Sequence, residues 1–248
     1  MCYYNGIRVS KEEYIRLLHL EKELKEINLQ KDLAGGFEYG NWPILKPNAD
    51  GTDFVLEMAH WELIPYWIKD TNALAESRKK FTTLNATSEK LLESKMFRNS
   101  ALKHRCLVLS SGFYEWRHFQ PSGAKKEIAY PYYITIPTRS YFFMAGIYQP
   151  WVDKETGETM DTFAIVTTKA NSLMEQIHNK KKRMPTILPD TLAWEWIQDD
   201  LPEERISQIA GYQYHSKEMT AQTIQKDFRT VPHPQAAFIY SELPELIE

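Results

Sequence analysis

The stretch Tyr130–Thr168, YPYYITIPTRSYFFMAGIYQPWVDKETGETMDTFAIVTT, holds three short runs rich in β-branched and aromatic residues. They are Tyr130–Ile136, Tyr141–Tyr148 and Thr162–Thr168. No helical periodicity separates them. Pro137-Thr138 breaks the first from the second, and Asp153-Lys154-Glu155-Thr156-Gly157 reads as a hairpin tip. Consecutive strands without intervening helices predict an antiparallel meander rather than a doubly wound parallel sheet.

Working outward, Arg105–Leu109, Phe113–Phe119 and Asp53–Trp61 are further strand-like runs, with turn chemistry at Pro121-Ser122-Gly123. Helical spacing places a helix over about residues 11–30, opened by the capping box Ser10-Lys11-Glu12-Glu13 and closed by Gly35-Gly36. A second helix is expected from Ser88 to about Lys103. Shorter ones are expected near 171–177, 190–198 and 202–210, with Asn171 and Asp190 as N-caps. No linker rich in Pro, Gly or Ser divides the chain. The pattern predicts an α+β fold, a single domain over residues 2–248 with a curved, barrel-like antiparallel sheet flanked by helices.

Composition narrows the function. The 248 residues carry 30 Lys+Arg against 33 Asp+Glu, a net charge of -3. A protein that wraps duplex DNA nonspecifically is more basic, so any nucleic-acid contact must be a local patch. No long apolar run and no leader-like start are present, which predicts a cytoplasmic protein with no membrane partner. Two cysteines, Cys2 and Cys106, make neither a disulfide framework nor a zinc cage. The remaining histidines lack metal-ligand spacing. No metal and no cofactor are therefore expected, and a monomer is the expected state.

Three constellations carry chemistry. Cys2 becomes the first residue once Met1 is removed, and it then offers a free α-amine beside a thiol. An α-amine has a pKa of about 7.7–8.0, so part of it is unprotonated at neutral pH. Such an amine attacks an aldehyde to form a Schiff base, and the thiol can close a five-membered thiazolidine on the same carbon. An N-terminal nucleophile that attacks an amide is the competing sharp reading, and a small half-buried residue is the bland one. In Gly112-Phe113-Tyr114-Glu115-Trp116, strand alternation puts Phe113, Glu115 and Arg117 on one face. Desolvation by Phe and Trp would raise the Glu115 pKa into proton-shuttling range, whereas an exposed Glu115 would simply pair with Arg117. In His178-Asn179-Lys180-Lys181-Lys182-Arg183-Met184-Pro185, a titratable imidazole adjoins four cations that attract phosphate or merely form a solvated loop. Asn85 follows a strand-like run and could hold a sugar hydroxyl, or be a turn residue. Trp61 and Trp67 could stack on bases or pack in the core.

Cys2, Trp61-x-Leu63-Ile64-Pro65-x-Trp67, Asn85-Ala86, Arg105-Cys106-Leu107-Val108 leading into Gly112–Trp116, and His178 with Arg183-Met184-Pro185 occur in one order. Together they resemble the SOS response-associated peptidase (SRAP) family, whose members shield abasic sites in single-stranded DNA. The resemblance is closest over residues 2–190. It implies an abasic-site shielding protein that crosslinks Cys2 to the ring-opened sugar, with autoproteolytic removal of Met1 and lyase-like reversal. The implied partner is single-stranded DNA containing abasic sites. By the same resemblance, Asn85 would position the opened deoxyribose, Glu115 would exchange protons with the α-amine, and His178 would act on the sugar oxygen. Arg183 and Lys180–Lys182 would contact phosphate, and Trp61 and Trp67 would flank the lesion. Three departures stand out: Thr87 replaces an arginine, Glu62 replaces a glycine, and three lysines separate His178 from Arg183. A cysteine peptidase or amidohydrolase acting in trans, and a noncatalytic reader of damaged or modified DNA, are the alternatives.

Overall fold

The computed structural model describes residues 2–8, 30–48 and 54–247. The helix expected over 11–30 lies outside them. Thirteen strands are described. The first seven are β1 (Tyr4–Arg8), β2 (Gln30–Gly35), β3 (Asn41–Pro47), β4 (Phe54–Trp61), β5 (Asn85–Thr87), β6 (Arg105–Ser110) and β7 (Gly112–Phe119). The others are β8 (Ile128–Thr135), β9 (Phe142–Val152), β10 (Thr159–Lys169), β11 (Arg183–Pro185), β12 (Ile187–Leu188) and β13 (Thr220–Thr223). The described α-helices are α1 (Thr71–Arg78), α2 (Arg98–Lys103), α3 (Ser172–Ile177), α4 (Asp190–Trp196) and α5 (Glu203–Ala210).

Five strands close on themselves. β10 pairs with β4, β4 with β3, β3 with β6, β6 with β9, and β9 returns to β10. Closure removes the exposed edges that an open sheet of such apolar strands would present. Four of these pairings are antiparallel and one, β10 with β4, is parallel. β5 adds a second parallel pairing to β10. A separate five-stranded sheet runs β13-β8-β7-β1-β2. Every residue of β6 is buried, and Ile44, Leu45, Met144, Ile147 and Phe163 from neighbouring strands are fully enclosed with it. The fold is α+β with a barrel-like, largely antiparallel sheet flanked by helices.

The Tyr130–Thr168 stretch is divided between the two sheets. β9 and β10 form the expected hairpin, with Gly157 at φ 76 in its tip. β8 does not pair with β9; it pairs with β7, and Pro137–Ser140 carries the chain from one sheet to the other. Proline has no N–H to donate and breaks the ladder there. The expected helix from Ser88 to Lys103 is also interrupted. A 3-10 turn at Ser88–Lys90 ends where Leu91 enters the core and Arg98 donates to the Leu92 carbonyl at 2.8 Å, so that α2 begins at Arg98. Asn171 caps α3 by accepting from Met174 N at 3.0 Å. At α4 the N-cap is Pro189, and the Asp190 carboxylate pairs with Arg139 at 2.6 Å instead.

Candidate active site

β7 carries Glu115 on the face expected from alternation. Phe113 packs into the main core, while Tyr114 and Trp116 join Phe228 on the opposite face. Phe113 and Glu115 are both buried, the latter 3% exposed, so the carboxyl is desolvated. Arg117 does not neutralise it; its guanidinium donates to the Pro244 carbonyl at 2.5 Å. Burial pushes the Glu115 pKa up to about 7, and near neutral pH it can therefore both give and take a proton.

Cys2 precedes β1, which pairs antiparallel with β7 through Tyr4 and Tyr114. Its thiol is fully buried and donates to the Tyr4 carbonyl at 3.5 Å. Burial first, and then the nearby Glu115 charge, hold the thiol well above its ordinary pKa. It is a neutral S–H in reach of the Glu115 field, and it needs a proton acceptor before it can act as a nucleophile.

His178 follows α3 directly. Its Nε2 lies 3.8 Å from Glu115 Oε2, while Nδ1 is 2.9 Å from the Arg183 carbonyl oxygen. A carbonyl only accepts, so Nδ1 carries the hydrogen and Nε2 presents its lone pair towards Glu115. Burial, with a smaller push from the Lys181 charge, holds the imidazole down at about 4. At neutral pH the pair is a neutral base beside a carboxyl whose pKa burial has raised towards neutrality. Their 3.8 Å separation exceeds hydrogen-bond length.

Asn85 lies at the start of β5, opposite Ile165 of β10. It is 7% exposed, and neither atom of its carboxamide has a hydrogen-bond partner among the described residues. A buried amide with unmet donors and acceptors costs free energy unless a polar ligand completes it. The neighbouring Leu84 is close to the Cys2 segment. The Gly36 N–H donates to the Tyr3 carbonyl at 2.8 Å, and a Cβ at Gly36 would sit 3.1 Å from Leu84 Cδ1.

The segment Lys180–Lys182 bulges outward and returns. Lys182 takes a left-handed conformation (φ 50), and its N–H donates to the His178 carbonyl at 2.7 Å. Arg183 is thereby brought back to His178. Its guanidinium reaches Glu89 at 2.6 Å and the Thr167 carbonyl at 2.5 Å. Thr167 is the register partner of Thr87, so a cation from β11 arrives beside Thr87. Lys180 pairs with Glu127 at 2.5 Å, and Lys182 with Glu175 at 3.7 Å.

The expected role of Trp61 at the lesion needs correction. Trp61 is 1% exposed, its indole donates to the Leu84 carbonyl at 3.1 Å and its ring stacks on Phe163, so it is a core residue with no face for a base. Glu62, next to Trp61, is buried as well. It is 3% exposed and held by Arg78 at 2.5 Å, so its charge is spent inside the protein. Trp67 is 40% exposed and sits edge-on to the exposed Tyr66. Phe37, half-exposed and packed on Tyr3 at 4.9 Å, escaped sequence reasoning. The Gly-Gly-Phe context marked only a turn. Among the described residues, no three His, Cys, Asp or Glu side chains cluster as metal ligands, and no helix is long and apolar enough to cross a membrane.

The model of the SOS response associated peptidase (SRAP) family matches residues 1–231. The chain belongs to this family. The SRAP relatives include YoqW of Bacillus subtilis, an abasic site processing protein 33% identical over 199 residues, 80% of this chain and 79% of that one. HMCES of Xenopus tropicalis, also an abasic site processing protein, is 30% identical over 169 residues, 60% of this chain and 47% of the relative. A crystal structure from Bacteroides thetaiotaomicron shares the SRAP fold with a TM-score of 0.81 at 30% identity, covering 96% of this chain and all of that one.

Proposed function

We propose that this protein shields abasic sites in single-stranded DNA by forming a covalent thiazolidine between Cys2 and the ring-opened sugar. The observation that carries the reading is the juxtaposition of a buried Cys2 thiol, a carboxyl near neutrality and a neutral imidazole with its lone pair facing that carboxyl. The SRAP membership and relatives named abasic site processing proteins support it.

The chemistry balances. Hydrolysis of the Met1–Cys2 bond, assisted by the Cys2 thiol, consumes one water and frees the α-amine. His178 Nε2 takes or returns the proton as the deoxyribose opens to its C1′ aldehyde. The amine adds to that carbon, and Glu115 gives the proton with which the carbinolamine oxygen leaves as water. The thiol then adds to the imine carbon, passing its proton through Glu115 to the nitrogen. The net loss is one water, and the same carboxyl serves the reverse reaction. Asn85 completes its carboxamide on a sugar hydroxyl. Arg183 and Lys180–Lys182 meet phosphate, and Trp67 flanks the lesion. Single-stranded substrate fits because an unpaired sugar needs no unstacking.

The test is incubation with an oligonucleotide bearing one abasic site, followed by denaturing electrophoresis and intact mass measurement. The expected product survives denaturation and weighs the sum of Met1-free protein and DNA minus one water. Cys2→Ala should abolish it. An undiminished adduct in Cys2→Ala rejects the mechanism, and steady turnover of a peptide with no DNA adduct would favour an amidohydrolase.

A further inference from the structure

Two carboxamides bracket the His178 segment. Asn179 Oδ1 accepts from the His118 N–H at 3.0 Å, and Asn179 Nδ2 donates to the His118 carbonyl at 2.7 Å. The side chain thus takes both main-chain groups of one β7 residue, as a neighbouring strand would. His118 lies three residues beyond Glu115 on the same strand. Gln176 makes the same two-bond arrangement on the other side, but with the C-terminal segment: its Nε2 and Oε1 bind the O and N of Ile247, each at 2.8 Å. Ile247 is 81% exposed.

We propose that Asn179 is a positioning residue, which sets the His178–Glu115 separation by locking the His178 loop onto the strand that carries Glu115. The loop's other main-chain bonds run to its own neighbours and to β10, where the Ala170 N–H donates to the Lys182 carbonyl at 3.0 Å and Lys169 pairs with Arg183. His178 N–H bonds to Met174 O, Lys182 N–H to His178 O, and Nδ1 to Arg183 O. Those bonds fix the loop's shape and its tie to β10; α3 lies against β7, but none of these bonds reaches that strand. The Lys180–Glu127 pair also bridges towards the β7–β8 connection, yet both side chains are about half-exposed, and such pairs contribute little. The Asn179 bonds are partly buried and planar, and they register the loop against β7. Gln176 lacks this function because its partner is an exposed terminal segment rather than β7. The inference rests on the proposed crosslinking reaction for its kinetic readout, but not for its spectroscopic one.

Adduct formation should slow roughly 10- to 100-fold in Asn179→Ala, the scale expected when reacting groups drift by about an ångström. Gln176→Ala should stay within about twofold of wild type. In a His178→Gln background, Asn179→Ala should cost less than about twofold further, because its effect passes through the imidazole. Asn179→Asp keeps the acceptor towards His118 N and sets an oxygen against His118 O. It should fall between wild type and Ala, and it carries the test if the alanine variant does not fold. Independently of any DNA, NMR titration of His178 should show its pKa rising from about 4 towards the ordinary value in Asn179→Ala, as the ring leaves its desolvated seat. A wild-type rate with an unmoved titration in Asn179→Ala or Asn179→Asp overturns the proposal. So does an equal loss in Gln176→Ala, or an undiminished loss in the His178→Gln background. If the wild-type protein forms no adduct, the crosslinking reading fails while the titration still decides the role of Asn179.

Discussion

Glu115 and His178 are perturbed in opposite senses by the same burial, which has a consequence for stability. Glu115 is raised from the ordinary carboxylate value to about 7, so the fold favours its protonated form. Its contribution is fully present below about pH 4.5 and is lost as pH rises through 7. His178 is lowered from 6.5 to about 4, so the fold favours its neutral form. Its contribution is present above pH 6.5 and is lost as pH falls through 4. Between about pH 4.5 and 6.5 the two slopes oppose one another, each amounting to about 3 kcal/mol across the window. Wild-type stability should therefore be nearly flat there as far as this pair is concerned. Denaturant unfolding of Glu115→Gln should show stability rising with pH, and of His178→Gln stability falling. Slopes of the same sign in both variants would refute the assignment. The Phe113–Glu115–Arg117 alternation was legible in sequence because it is a local, period-two pattern. The Glu89 partner of Arg183 and the Asn179 bonds to His118 were not, since each joins elements more than 60 residues apart.

Elements are held by contacts of the same long-range kind. Arg105 opens β6 and is 4% exposed, and its guanidinium bonds to backbone carbonyls. Its guanidinium donates to Ala101 and Leu102 carbonyls at 2.8 and 2.6 Å, and to Trp196 and Gln198 carbonyls at 2.7 and 2.5 Å. These are the ends of α2 and α4, where carbonyls lack intrahelical donors and the helix dipole favours a cation. One side chain thus seats two helices against the barrel. Arg105→Lys keeps the charge but cannot reproduce four bonds in two directions. It should lower unfolding free energy by about 1–3 kcal/mol, and Arg105→Met should cost more because it leaves four carbonyls without that donor, those of Ala101 and Trp196 buried. Chemical denaturation measures both. A lysine variant as stable as wild type would show that charge alone suffices. In the sequence Arg105 reads only as the start of a strand. The short helices near 171–177, 190–198 and 202–210 were legible in the sequence, but α1 (Thr71–Arg78) was not, nor was what anchors the helix ends. The short β-ladders of β5, β11 and β12 carry two or three residues each and leave no periodic signal at all.

At the scale of the molecule, an acidic chain must bind a polyanion with few cations. The net charge is -3, and the basic residues beside the site are largely engaged: Lys180 with Glu127, Lys182 with Glu175, Arg183 with Glu89. On the proposed reading DNA would displace these carboxylates, so each phosphate contact would gain less than a lone cation supplies. Single-strand binding releases about 0.7 counterion per neutralised phosphate. With Lys180, Lys181, Lys182 and Arg183 as the local patch, the slope of log affinity against log salt should be no steeper than about -3. This is best measured on Cys2→Ala, so that reversible binding is read without the adduct. Glu89→Gln frees the half-buried Arg183 guanidinium and should tighten binding several-fold while leaving the unfolding midpoint within a few degrees. Glu127→Gln, which releases an exposed lysine, should do less. A steep slope near -6, or unchanged affinity in Glu89→Gln, would mean that DNA rests on a basic surface elsewhere. The abasic sugar would then be delivered to Cys2 without help from the lysine bulge.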